Sequence, residues 1–224
     1  MCPWAYQSSR WIREVRAVRD VTVRWGFFSL EEINREETKK HPWERPWSYG
    51  WSLLRVATMA RREGGGEGSR EGEDAVDRWY EAAGRALHVD GRAVHRREVA
   101  EEVAAEAGFD PAMVGRAVDD PTTTDEVLAD HRRVVGAGGY GVPTLRLTGV
   151  DKGADGWLFG PVVVPAPTGE AAGRLWDLVA GWAEFPHLYE LRRPKTDADW
   201  DHIGGHFSPY LAAREWKTVA NPVA

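Results

Sequence analysis

The sequence predicts an α/β layered protein that carries a large helical insertion. Three observations predict it. Amphipathic helical patterns stand near both ends of the recognisable fold, at residues 3–18 and 168–184. Strand-like runs occur at 21–28, 144–147 and 157–159. Between the first and second of these runs the period is almost wholly helical.

Each element has its own signature. Trp4, Trp11, Ile12, Val15 and Val18 form an apolar stripe, with Arg10, Arg13, Glu14 and Arg16 largely elsewhere, which predicts the first helix. Val21-Thr22-Val23-Arg24-Trp25-Gly26-Phe27-Phe28 is β-rich and partly alternating, and predicts a strand. Ser29-Leu30-Glu31-Glu32 has capping-box spacing and opens a new helix. Leu53, Leu54, Val56, Ala57 and Ala60 form the next stripe, then Val76, Trp79, Tyr80, Ala83 and Leu87. The glycine-rich Gly64–Gly68 separates the two as a polar loop. Val99, Val103 and Ala104 follow, Asp110-Pro111 marks a helix start, and Val127, Leu128, His131, Val134 and Val135 close the block. Thr144–Leu147 and Trp157–Phe159 predict two strands joined by the turn-rich Thr148–Gly156. Leu175, Trp176, Leu178, Val179 and Trp182 mark the last amphipathic helix, and the tail past Pro186 is predicted to be irregular.

Composition narrows the function classes. The net charge of −6 argues against nucleic acid as the main partner. No run approaches the ~18 consecutive apolar residues of a membrane span. No basic flank precedes an apolar stretch at the N-terminus, so no signal peptide is visible, and a single cysteine fits a reducing, cytoplasmic setting. Twelve tryptophans offer bulk for cores and walls for ligand clefts. Trp43, Trp47 and Trp51 could serve either purpose.

Cys2 carries the chemistry. It stands directly before the first helix, where unpaired N–H groups and the helix dipole favour a thiolate and can bring a thiol pKa into the range ~3.5–7.5. As the chain's one cysteine it has no internal disulfide partner. Asp201 and the His202/His206 pair resemble part of a metal clamp. Gly204 and Gly205 argue against a helix there and no third ligand is obvious, so no metal site is expected. Gly136–Gly141 lacks the Lys-Ser/Thr that a phosphate loop needs.

Cys2-Pro3-Trp4 at a helix start, with Gly141-Val142-Pro143-Thr144 opening a later hairpin, resembles the thioredoxin-like fold of the DsbA family. Ser9-Arg10-Trp11-Ile12, Ser29-Leu30 with Asn34, Phe159-Gly160-Pro161, Gly173-Arg174-Leu175-Trp176-Asp177, and Phe185-Pro186-His187 with Glu190-Leu191 are similar to its actinobacterial mycothiol-dependent nitroreductase branch. The resemblance implies a core of residues 1–28 and 137–191, a helical insertion of 29–136 and a tail of 192–224. It implies that Cys2 is the nucleophile and that Val142-Pro143, through a cis peptide, docks the thiol substrate. By position Pro3, Trp4, Asn34 and Trp43 would be substrate- or thiol-binding.

Two departures from the family pattern matter. Its second motif cysteine is Ala5 here, and the first strand that usually precedes the motif is apparently truncated, so a start assigned too late is an expectation to test. The expected activity is that of a cytosolic oxidoreductase in which Cys2 acts with a low-molecular-weight thiol, mycothiol by resemblance, to reduce nitro-aromatic or other electrophilic molecules. No tightly bound cofactor and no nucleic-acid or membrane partner are expected, and a homodimer stays open. Two alternatives remain. One is chemistry like that of kappa-class glutathione transferase or 2-hydroxychromene-2-carboxylate isomerase, whose relatives use a Ser-Pro-aromatic helix start. The other is a DsbA-like binding protein without turnover.

Overall fold

The computed structural model describes residues 1–149 and 156–216, and among them the protein is mostly helical with one small sheet. Its elements are α1 (Pro3–Val18), α2 (Leu30–Ile33), a 3₁₀ turn (Pro42–Glu44), α3 (Tyr49–Glu63), α4 (Arg70–His88), α5 (Arg97–Glu106), α6 (Ala112–Asp119) and α7 (Thr122–Gly136). They are followed by β1 (Thr144–Leu147), β2 (Gly156–Phe159), α8 (Gly169–Trp182) and α9 (Asp197–Ala213). None of the described helices is long and apolar enough to cross a membrane. The chain forms two compact units. One holds Cys2–Arg24 and Arg132–Phe207; the other holds Met1, Trp25–His131 and the residues from Ser208 onward.

In the first unit, α1 packs on α8. Pro3 occupies the first turn of α1, where its missing N–H costs nothing, and Trp11 and Val15 are fully buried. The Trp11 indole N–H donates to the Ala172 carbonyl at 3.0 Å, and its ring lies 6.2 Å from that of Trp176. Past the end of α1, the Arg19 guanidinium spans Glu170 at 2.7 Å and Asp177 at 2.8 Å on α8. It lies so close over Gly173 that an added Cβ would come within 2.7 Å of the guanidinium carbon. This accounts for both the glycine and the aspartate of the Gly173–Asp177 run.

β1 and β2 form an antiparallel hairpin in which Thr144 faces Phe159 and Leu147 faces Gly156. Leu147 is buried, whereas Phe159 stays exposed and stacks on the exposed Tyr140 at 4.9 Å. The turn predicted across Thr148–Gly156 falls mostly outside the described residues.

The second unit has its core between α3 and α4, with Trp51, Val56, Val76, Trp79 and Leu87 fully buried. The Trp79 indole N–H donates to the Leu53 carbonyl at 3.1 Å. Ser29 caps α2 by accepting from the Glu32 N–H, as its spacing predicts. The start of α3 is capped from a distance: the Glu31 carboxylate accepts from the N–H groups of Gly50 and Trp51 and from the Ser48 hydroxyl. Buried Arg55 binds the Thr123 hydroxyl and the carbonyls of Val118 and Asp120, which ties α3 to the α6–α7 junction.

Two expectations are corrected. Residues 21–28 form no strand. From Trp25 on, their backbone is occupied by side chains of helices instead of a neighbouring strand. The Trp25 N–H donates to Glu73 at 2.8 Å, the Phe27 N–H to Asp130 at 3.0 Å, and the Trp25 carbonyl accepts from Arg61. Nor is the tail irregular throughout, because it carries the helix α9. Thr196 and Asp199 start it by a reciprocal cap, each side chain accepting from the other's N–H, at 3.3 and 2.8 Å. That signal lay in Thr196-Asp197-Ala198-Asp199 and outweighs the glycines further on.

Candidate functional site

Cys2 is the N-cap of α1, in extended conformation, and its carbonyl accepts the Tyr6 N–H at 3.1 Å to begin the helix. Its thiol is half-buried and unpaired with any other sulfur. The S–H points at the Val142 carbonyl, 3.7 Å away. The peptide bond that follows this carbonyl, Val142–Pro143, is cis, as are Gly160–Pro161 and Val164–Pro165. The Thr144 hydroxyl donates to the Gly141 carbonyl at 2.7 Å and tightens the turn that presents Val142.

The electrostatics correct one expectation. Burial pushes the Cys2 thiol above its ordinary value, and this outweighs the opposing pull of the helix N–H groups, Ala5 foremost. The position at the helix start is the one the sequence predicts, but desolvation decides the protonation state. In this geometry the S–H faces the Val142 carbonyl as a donor.

The other predicted residues divide between the units. Pro3, Trp4, Val142 and Pro143 belong to the unit of Cys2. Trp4 is half-buried and meets Phe207 of α9 edge to face, with centroids 4.9 Å apart. Phe207 is buried, and the sequence carries no signal for this contact beyond its place in an unrecognised helix. Asn34 and Trp43 belong to the helical unit. Asn34 is exposed at the end of α2, and its amide is spent on the Leu30 carbonyl at 2.9 Å. Trp43 stacks on His41 at 4.2 Å and leans on Trp51 at 5.2 Å. Trp51 is a core residue, and Trp43 and Trp47 pack against that core.

His202 and His206 lie within α9, with rings 4.5 Å apart, so the expectation of a non-helical segment there is wrong. Among the described residues no group of three or more His, Cys, Asp or Glu side chains is placed to hold a metal ion.

Sequence reasoning missed the supports of the site. Ser8 is buried on α1 and its hydroxyl reaches the Pro161 carbonyl at 2.6 Å. Buried Gln7 accepts the Ala166 N–H at 2.9 Å, and Glu14 accepts the Gly169 N–H at 3.0 Å. Three polar residues of α1 therefore hold the segment between β2 and α8. Gln7 and Glu14, seven residues apart, lie on one helix face, while Ser8 is turned about 100° from Gln7, so no single periodic stripe marks the three.

A curated relative, "Uncharacterized protein Rv2286c" of Mycobacterium tuberculosis, is 50% identical over 219 residues, covering 98% of this chain and 89% of the relative. The Rv2466c-like family, described by its mycothiol-dependent nitroreductase Rv2466c, matches residues 1–193, which takes in Cys2, the β1–β2 hairpin and α8. The chain belongs to the Rv2466c-like family.

Proposed function

We propose that the protein is an oxidoreductase of thioredoxin-like, DsbA-type fold that works with a low-molecular-weight thiol, mycothiol in its natural setting. One observation carries the reading. The chain's only thiol stands at the start of α1 against the Val142 carbonyl, next to a cis Val142–Pro143 bond, in a chain of this family. Residues 1–28 and 137–191 would be the thioredoxin-like core and 29–136 its helical insertion. The α1–α8 packing and the hairpin support a core built from both ends of that range, although the compact units divide at Arg24/Trp25 and His131/Arg132.

With Ala5 in place of a second cysteine, an external thiol must complete the cycle. Cys2–SH and one small thiol RSH each give up a proton and an electron to an electrophilic acceptor A. This forms the mixed disulfide Cys2–S–SR and AH2. A second RSH, as thiolate, attacks that disulfide, which releases RSSR and returns Cys2–SH. The sum is A + 2 RSH → AH2 + RSSR. Nitro-aromatic compounds are the acceptor class that the family description suggests. Within this reading Val142-Pro143 docks the small thiol, and Pro3 and Trp4, of the same unit as Cys2, bind substrate or thiol.

One observation favours a second reading. Burial raises the Cys2 thiol above its ordinary value, and an S–H can donate to a bound small thiolate without bonding to it, which is transferase-like chemistry. Intact mass after incubation with oxidised mycothiol separates the two. One thiol adduct per chain, absent in Cys2→Ser, is expected for the redox cycle. No adduct, with activity kept in Cys2→Ser, overturns it in favour of the transferase.

A further inference from the structure

Two chains of hydrogen bonds leave α1 and meet at the Val142-Pro143 turn. At one end the Cys2 S–H donates to the Val142 carbonyl at 3.7 Å. On the next residue, the Pro143 carbonyl accepts the Gly160 N–H at 2.9 Å. One residue further along that strand end, the Pro161 carbonyl accepts the Ser8 hydroxyl at 2.6 Å. Cys2 and Ser8 are thus the two ends of a closed circuit that runs through both β-strand termini.

Ser8 has one proton to give. Its own helix offers a second acceptor, the Trp4 carbonyl at 3.1 Å, but the shorter contact is to Pro161. A hydroxyl spent inside its own helix would add little, whereas this one satisfies a carbonyl on another element. Ser8 is 5% exposed, so water does not readily replace it.

We propose that Ser8 is a positioning residue for the Cys2 thiol, acting through Pro161, Gly160 and Pro143 to hold the Val142 carbonyl against the sulfur. The assignment rests on Cys2 being the reactive group of the proposed function. Ser8 touches neither the sulfur nor, by this geometry, any substrate. Its effect is to keep an acceptor in front of the S–H, which favours the thiol form over the thiolate. Loosening the turn removes that acceptor, so the thiol should ionise more readily while it loses its docking geometry.

Gln7 provides the contrast. It is the neighbouring tether from the same helix and is equally buried, but it ends on the Ala166 N–H, which is not linked to Pro143. A merely structural role for Ser8 would make the two residues equivalent.

The test is the pH profile of Cys2 alkylation by iodoacetamide, which needs no substrate and reads one site because the chain has one cysteine. Ser8→Ala is expected to lower the midpoint by roughly half a unit to one unit. Ser8→Thr, which keeps the hydroxyl, should restore the midpoint of the original protein. Gln7→Ala should lower the denaturation midpoint and leave the alkylation profile in place. An unchanged profile in folded Ser8→Ala, or an equal shift in Gln7→Ala, overturns the proposal. If Ser8→Ala does not fold, amide exchange in the unaltered protein decides. Gly160 N–H protection matching that of the β1–β2 ladder supports the circuit, and free exchange there overturns it. Because no small thiol enters the assay, its outcome is independent of whether mycothiol forms an adduct.

Discussion

At Cys2 two effects of similar kind oppose each other, and the environment decides between them. Helix N–H groups favour the thiolate, burial favours the thiol, and burial prevails. Iodoacetamide alkylation of Cys2 should therefore have its midpoint above the value of about 8.5 for a free cysteine. A midpoint near 7 would mean that the helix start prevails. Ala5 sets the second residue-scale expectation. Residues 2 and 5 are neighbours across the first helical turn. Ala5→Cys should let an internal disulfide form, seen as loss of titratable thiol on oxidation, and should lower the number of external thiols needed per cycle. A free-thiol titre that stays at two after oxidation would refute this.

At the scale of elements, the α1–α8 contact separates packing from charge. Trp11 is fully buried and Arg19 bridges the surface, and both touch α8. Trp11→Ala should cost about 3–5 kcal/mol in urea denaturation, because it loses buried area and leaves a cavity. Arg19→Ala should cost far less, and the difference from the original protein should shrink in high salt, since its ion pairs are exposed. Comparable losses for the two variants would show that the ion pairs, not the indole, hold the helices together. The same contrast explains why this contact was legible in part. Trp11 announces itself by its place in an apolar stripe, whereas the Arg19–Glu170 and Arg19–Asp177 pairs join residues far apart in the chain with no periodicity to betray them.

For the whole molecule the sharpest pH expectation comes from His88. Burial holds it down to about 3, far under its ordinary 6.5. The unfolded chain therefore binds this proton and the folded one does not, between those two values. Its contribution is fully present above pH 6.5 and is lost progressively as the pH falls toward 3. Denaturation followed from pH 7 to 4 should show stability falling over that window, with a shallower slope in His88→Phe. Equal slopes in the two proteins would place the acid sensitivity elsewhere.

For the helices and the hairpin, the sequence by itself determined the structure. The helices α1, α3, α4, α7 and α8, the β1–β2 hairpin, the Ser29 cap and the thiol at a helix start all follow from periodicity or from neighbours in the chain. Tertiary structure decided what depends on distant partners. The 21–28 segment looked like a strand until the side chains of Glu73, Asp130 and Arg61 claimed its backbone. The Ser8–Pro161 tether and the Phe207–Trp4 contact join residues that no spacing rule connects. Cys2 shows the division in one residue. Its helix-start position is a local property of the chain, but its protonation is set by how much water the fold leaves around the sulfur.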